Sequence, residues 1–228
     1  MTAAGAAPPL TVIPDPRFAP GATLEGIAAA ALAGGADAIQ LRAKGLAPPE
    51  LVAAGRRLAR LCRDAGALFF VNDLPEIALA CGADGVHVGP EDAAPAAARA
   101  LLGPRALLGV SIYGEEDLRA AEAAGAAYVA VGAVFPTGTK AVPVVGLAGL
   151  RRWRGLTRLP LVAIGGVTAA NVASALEAGA DAVAVVSAVS GAADPAAATR
   201  ELKMEMSRNG DRLSPFPEEG DRCRFRRI

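Results

Sequence analysis

Gly35-Ala36-Asp37-Ala38-Ile39-Gln40 returns three times along the chain. Its echoes are Gly82-Ala83-Asp84-Gly85-Val86-His87, Gly125-Ala126-Ala127-Tyr128-Val129-Ala130 and Gly179-Ala180-Asp181-Ala182-Val183-Ala184. Each phrase reads as the glycine-capped end of a helix, a one- or two-residue link, and a buried strand. The phrases begin at positions 35, 82, 125 and 179, so they stand 47, 43 and 54 residues apart. A βα unit occupies about 20 to 30 residues, so each interval must hold two units. That spacing predicts one further strand inside every interval and one ahead of the first phrase.

Apolar runs fill those places. Leu10-Thr11-Val12-Ile13 precedes the first phrase, and Leu68-Phe69-Phe70-Val71, Leu107-Leu108-Gly109-Val110 and Leu161-Val162-Ala163-Ile164 fall in the gaps. Continuous rather than alternating apolar runs belong to parallel strands buried on both faces. Eight such strands separated by helices give an α/β chain with a single (β/α)8 barrel. An open doubly wound sheet usually has fewer strands, and no GxGxxG follows the first one here. Pro48-Pro49-Glu50 opens a helix running to about Asp64, and Asp194-Pro195 opens the last helix. After Lys203 alanine disappears and Pro and Gly recur. The expected organisation is a flexible N-terminus over 1–8, a catalytic barrel over 9–202, and a C-terminal extension over 203–228, outside the barrel and flexible.

Composition narrows the function. Of 228 residues, 53% are hydrophobic and only 4% aromatic, with 23 Lys and Arg balanced by 23 Asp and Glu. Such a chain is not intrinsically disordered. It lacks the cationic excess of a general nucleic-acid binder and the aromatic platforms of a single-strand binder. No stretch has the roughly 20 consecutive apolar residues of a membrane span. Nothing at Met1 to Pro9 has the form of a signal peptide. Cys62, Cys81 and Cys223 form no CxxC pair, and one histidine cannot complete a zinc site with them. Free thiols in a reducing cytoplasm are the simplest reading.

In this architecture the chemistry sits just past the carboxyl ends of the strands. Gathering those positions yields Gln40, Arg42 and Lys44 from strand 2, and Asn72 and Asp73 from strand 3. Strand 4 adds Asp92, strand 5 Ser111, strand 6 Thr137-Gly138-Thr139-Lys140, strand 7 Gly165-Gly166, and strand 8 Val186-Ser187. Arg42, Lys44 and Lys140 offer fixed positive charge to an anionic ligand. Asp73 and Asp92 are oxygen donors suited to Mg²⁺, which favours carboxylates together with substrate phosphates. The glycine pair and the Val186-Ser187 corner occupy the usual monophosphate cradle of the fold. Asp73 and Asp92 could each instead cap a helix. His87, within strand 4, reads as packing or structural rather than catalytic. Ser111 has no histidine base in the other loops, so it reads as a ligand contact rather than a nucleophile.

The set resembles the thiamine phosphate synthase family. The resemblance is carried by Gln40-Leu41-Arg42-Ala43-Lys44, Asn72-Asp73, the run from Gly82 to Asp92, Gly109-Val110-Ser111, the run from Val131 to Lys140, Ala163 to Val167, and Val185-Val186-Ser187. It spans residues 8 to 202. It implies a transferase joining 4-amino-2-methyl-5-hydroxymethylpyrimidine diphosphate to a thiazole monophosphate, releasing thiamine phosphate and pyrophosphate. On that resemblance Gln40, Leu41, Arg42, Ala43, Lys44, Asn72, Ser111 and Lys140 contact the pyrimidine diphosphate. Arg42, Lys44 and Lys140 are the catalytic cations, and Asp73 and Asp92 hold Mg²⁺. Thr137, Gly138, Thr139, Gly166, Val186 and Ser187 contact the thiazole phosphate. Pyrophosphate leaves first in the family mechanism, and the thiazole nitrogen captures the resulting pyrimidine methyl cation.

The partners implied are small-molecule substrates and a second copy of the chain in a homo-oligomer. Nucleic acid and membrane are not implied. Two departures stand out: Ile112-Tyr113 replaces a more polar pair, and the chain from Lys203 has no counterpart. Rival readings are a thiazole tautomerase on the same barrel, or a barrel that only binds thiamine phosphate. Asp73, Asp92, Thr139 and Lys140 favour the synthase.

Overall fold

A computed structural model describes residues 7–139 and 143–208. Eight parallel strands close on themselves in chain order, β1 to β8, with β1 pairing to β8 through Leu10↔Val183, Thr11↔Ala184 and Val12↔Val185. The strands are β1 (Leu10–Val12), β2 (Ala38–Leu41), β3 (Leu68–Asn72), β4 (Gly85–Val88), β5 (Leu107–Ser111), β6 (Tyr128–Val131), β7 (Leu161–Ile164) and β8 (Ala182–Val185). Helices return the chain after each: α1 (Leu24–Ala33), α2 (Pro48–Asp64), α3 (Pro75–Cys81), α4 (Pro95–Leu102), α5 (Glu115–Ala123), α6 (Gly146–Leu156) and α7 (Val172–Glu177). The short α8 (Ser187–Ser190) and the longer α9 (Pro195–Ser207) follow β8. This is the TIM-barrel architecture the four phrases predict.

Strand residues alternate between two cores. Ile39, Leu41, Phe69, Val71, Val129 and Val183 point outward and pack under the helices. Ala38, Leu68, Phe70, Leu107, Tyr128, Ala182 and Ala184 fill the barrel interior, where Phe70 meets Tyr128 edge to face at 5.9 Å. Small alanines opposite two large rings fit the narrow interior.

The aspartates of the phrases fasten the amino-terminal ends of the strands. Asp37 Oδ2 accepts from Leu10 N at 2.9 Å, Asp84 Oδ2 from Phe69 N at 2.8 Å, and Asp181 Oδ2 from Leu161 N at 2.8 Å. Each satisfies the amide of a neighbouring strand where the ladder begins.

The composition break at Lys203 is not a structural boundary. α9 continues to Ser207, with Leu202 and Met206 each 1% exposed against the core, and Lys203 Nζ reaches Asp37 Oδ2 at 2.7 Å. Leu202 and Met206 are four apart and so share a helix face, which losing alanine does not interrupt. The remaining tail and residues 1–6 lie outside the described residues.

Candidate functional site

At the carboxyl ends of the strands lies a cavity of about 480 Å³. Gln40, Arg42, Lys44, Asn72, Asp73, Asp92, Ser111, Thr137, Thr139, Gly165, Gly166, Val186 and Ser187 all line it, although the chain separates them by up to 147 positions. Leu41 and Ala43 do not. Strand alternation turns Leu41 outward into the helix-facing core, where Ala43 also packs. Any part they play in binding runs through their backbone. Gly138 stands outside the cavity wall with open space around its Cα. Lys140 lies outside the described residues.

Charge at the site is arranged in two groups. Arg42 and Lys44 project from the β2 end and form no ion pair among the described residues, so their charge faces the cavity. Asp73 and Asp92 follow β3 and β4. Asp73 adopts a left-handed backbone, with φ 69°, the only such non-glycine among the described residues. That conformation costs about 1 to 2 kcal/mol. It is held because the Asp73 amide donates to the His87 carbonyl at 2.8 Å. Asp92 Oδ2 accepts from Gly89 N at 2.8 Å, which closes the loop after β4.

Neither aspartate caps a helix: α3 begins after Leu74 and α4 after Ala94, both without a side-chain cap. Asp73 is instead pushed up to about 6, first by burial, then by the hydrogen bond and negative charge of Asp92, while Arg42 and Lys44 pull it back. A carboxyl group beside another negative charge gains proton affinity unless a cation intervenes.

The rest of the rim supplies neutral polar groups. Thr137 Oγ1 accepts from Thr139 N at 3.2 Å, folding the loop after β6 on itself. Gly165 and Gly166 both have positive φ, 92° and 67°, and a Cβ on Gly166 would lie 2.5 Å from the Pro136 carbonyl. Only glycine permits the β7 end to press so closely against the β6 loop. The Gly166 carbonyl is bound by Asn171 Nδ2 at 2.9 Å, while Asn171 Oδ1 accepts from Thr168 N at 2.8 Å. Asn171 was not apparent from the sequence: its partner Gly166 belongs to the glycine pair, but Asn171 itself lies beyond the strand end, outside any motif.

His87 is buried and hydrogen-bonded on both sides: Nε2 lies 2.8 Å from Ser111 Oγ and Nδ1 3.2 Å from Tyr128 Oη. Ser111 therefore does have a histidine neighbour, from strand β4 rather than a loop. Burial pushes the imidazole down to about 4, and the charge of Asp92 opposes that shift. The ring is neutral at pH 7, and Tyr128 beside it is also deeply buried, with its hydroxyl held protonated.

A barrel whose rim combines unpaired cations, paired carboxylates and a glycine cradle defines a class of enzymes that handle phosphorylated substrates. Comparison with known proteins is more specific. The family described as "Thiamine monophosphate synthase" matches residues 10–189. The thiamine-phosphate synthase of Moorella thermoacetica is 52% identical over 180 residues, covering 78% of this chain and 86% of its own length. That of Methanoculleus marisnigri is 46% identical over 213 residues, covering 92% and 98%. Among solved structures, thiamine phosphate pyrophosphorylase from Pyrococcus furiosus superposes with a TM-score of 0.79 at 41% identity, covering 87% of this chain and 95% of that one. The chain belongs to the thiamine monophosphate synthase family, and it is an enzyme of the transferase class.

Proposed function

We propose that the barrel joins 4-amino-2-methyl-5-hydroxymethylpyrimidine diphosphate to 4-methyl-5-(2-phosphoethyl)thiazole, or its carboxylated form, giving thiamine phosphate and pyrophosphate. The observation that carries this reading is the pairing of free cations with facing carboxylates over one cavity. Arg42 and Lys44, with Lys140, bind the diphosphate, together with Gln40, Asn72 and Ser111. The backbone of Leu41 and Ala43 belongs to the same stretch. Thr137, Gly138, Thr139, Gly166, Val186 and Ser187 take the thiazole phosphate.

The carboxylate pair fits a divalent cation. Among the described residues no three His, Cys, Asp or Glu side chains cluster. Two hard oxygen donors, facing each other and only partly offset by Arg42 and Lys44, match an ion that completes its shell with phosphate oxygens and water. Asp73 and Asp92 would hold Mg²⁺, which when bound neutralises charge on the diphosphate.

The protein's own residues do the rest. Negative charge grows on the departing pyrophosphate, so preorganised Arg42, Lys44 and Lys140 stabilise the transition state more than the ground state. The thiazole nitrogen attacks the pyrimidine methyl cation without losing a proton. No general base is needed, and the neutral His87 is consistent with that. The neutral inner wall, with Ala130, Val162 and Ile164 at the cavity, keeps bulk water from the cation. A cytoplasmic location and a homo-oligomeric state belong to the same proposal. The buried Cys81 thiol, which forms no disulfide among the described residues, supports the former. Among the described residues, no helix is long and apolar enough to cross a membrane.

A coupled pyrophosphate-release assay with both substrates and Mg²⁺ tests the reading. Release that requires both substrates is expected. Isomerisation of the thiazole without pyrophosphate, or binding without turnover, would overturn it.

A further inference from the structure

His87, Gly109 and Tyr128 stand abreast on β4, β5 and β6: His87 is in register with Gly109, and Gly109 with Tyr128. The two side chains meet over the bare Gly109. A Cβ there would lie 2.6 Å from His87 Nδ1 and inside the Tyr128 ring and hydroxyl. His87 reaches Ser111, and all three side chains belong to the cavity wall. Tyr128 and His87 are only 3% and 9% exposed, so water does not compete freely for these bonds.

We propose that Tyr128 and His87 are positioning residues that fix the direction of the Ser111 hydroxyl. The Tyr128 O–H donates to His87 Nδ1, Nε2–H donates to Ser111 Oγ, and the Ser111 O–H is turned into the cavity as a donor to a diphosphate oxygen.

The argument is one of polarity. A buried neutral imidazole carries a single N–H, so one ring nitrogen donates and the other accepts. The direction of the Tyr128 bond therefore sets the direction of the Ser111 bond. In the reverse arrangement Nδ1–H would donate to Tyr128 Oη, and Ser111 would spend its proton on Nε2. Ser111 would then offer an anion only lone pairs. The Tyr128 proton would also have no acceptor among the described residues, because His87 is the partner of that hydroxyl. An unsatisfied buried donor is costly, so the forward arrangement prevails. The inference rests on the reading that Ser111 binds the diphosphate.

The chain contains one histidine. Full-length protein labelled with ¹⁵N-histidine therefore shows a single imidazole, whose two nitrogens report the tautomer by NMR without any assay of activity. A bare Nδ1 and a protonated Nε2 are expected. Tyr128→Phe should mix the tautomers and raise KM for the pyrimidine diphosphate about tenfold, with a smaller change in kcat and none in KM for the thiazole phosphate. His87→Gln and His87→Asn both delete the ring but place an amide N–H at the Nε2 and Nδ1 positions respectively. The Gln variant should keep KM within about threefold of wild type, whereas the Asn variant should lose at least as much as Tyr128→Phe.

Asn is one methylene shorter than Gln, so the Tm of each variant is measured beside its KM, and a KM difference larger than the Tm difference accounts for reports direction rather than packing. A protonated Nδ1 in the wild type, an unchanged KM in Tyr128→Phe, or equal behaviour of Gln and Asn would overturn the inference. Wild-type protein that releases no pyrophosphate overturns the proposed function instead, and the tautomer is read either way.

Discussion

The two ends of the barrel use the same side chain for opposite purposes. At the amino-terminal end Asp37, Asp84 and Asp181 each accept a backbone amide, and Asp37 and Asp181 also bind Lys203 and Arg154. At the carboxyl-terminal end Asp73 and Asp92 face one another, and Asp73 is pushed up to about 6. Below, Asp37, Asp84 and Asp181 are each met by donors the fold itself supplies. Above, Asp92 accepts one loop amide, from Gly89, but the two carboxyl groups also face each other, an arrangement that the proposed function completes with a cation. A carboxylate is thus structural or functional according to whether its neighbours already complete it.

The sharpest way to break this comparison is Asp92→Asn. The amide still accepts from Gly89 N, so the loop survives, but the charge is gone. The expected result is a loss of kcat/KM on the order of a hundredfold or more, with Tm near wild type. Pyrophosphate release and a thermal melt check it, and near-normal turnover would remove Asp92 from the site.

The mirror experiment is Asp181→Ala. It orphans the Leu161 amide and removes one partner of Arg154, which still binds the carbonyls of Thr157 and Leu159. A loss of about 2 kcal/mol is expected, lowering Tm by about 4 to 8 °C. Activity at low temperature should stay within about twofold, since the site is at the other end. A collapse of kcat/KM in folded protein would show that the two ends are not separable.

A smaller effect appears in the pH dependence of stability without metal. Asp73 holds its proton up to about pH 6 in the folded state but only to 3.8 when unfolded. The folded form therefore binds more protons across that window, and stability falls as pH rises through it. His87 goes the other way, from 6.5 unfolded to about 4 folded. Its contribution is complete above pH 6.5 and is lost as pH falls toward 4. The two slopes oppose each other and largely cancel, each alone worth up to about 3 kcal/mol, and less for the half-buried Asp73. Asp73→Asn should leave the His87 slope exposed, so that Tm drops more steeply than wild type between pH 6.5 and 4.5. Parallel Tm curves for wild type and variant would contradict the opposed shifts.

Smallest is Lys203→Ala. Its bridge to Asp37 is partly exposed, at 31% and 13% for the two side chains. A loss of at most about 1 kcal/mol is expected, or about 2 to 4 °C in Tm, without change in kcat/KM.

The barrel was legible because its evidence is local. A glycine, a short link and an apolar run recur, and parallel burial makes each strand continuous in sequence. α2 was readable for the same reason, from Pro48 to Asp64. Most site positions followed from strand ends alone. What escaped depends on register or on backbone shape. That His87 touches Ser111 requires knowing that β4 and β5 align His87 with Gly109. That Leu41 turns away from the cavity follows from alternation, which a run quoted whole conceals. The left-handed turn at Asp73 is only weakly signalled by its residue type: aspartate tolerates that backbone better than most side chains, but few aspartates adopt it. The extension of α9 past Lys203 hid behind a change of composition that leaves Leu202 and Met206 on one face.

Asp37 has a last consequence. One of its oxygens holds both the first strand, through Leu10, and the final helix, through Lys203, while β1 lies against β8. It works as a buckle on a belt. Loosening the seam frees the earliest and latest units together and uncovers two raw strand edges at once. The ring should therefore come undone in a single step rather than peel from either side.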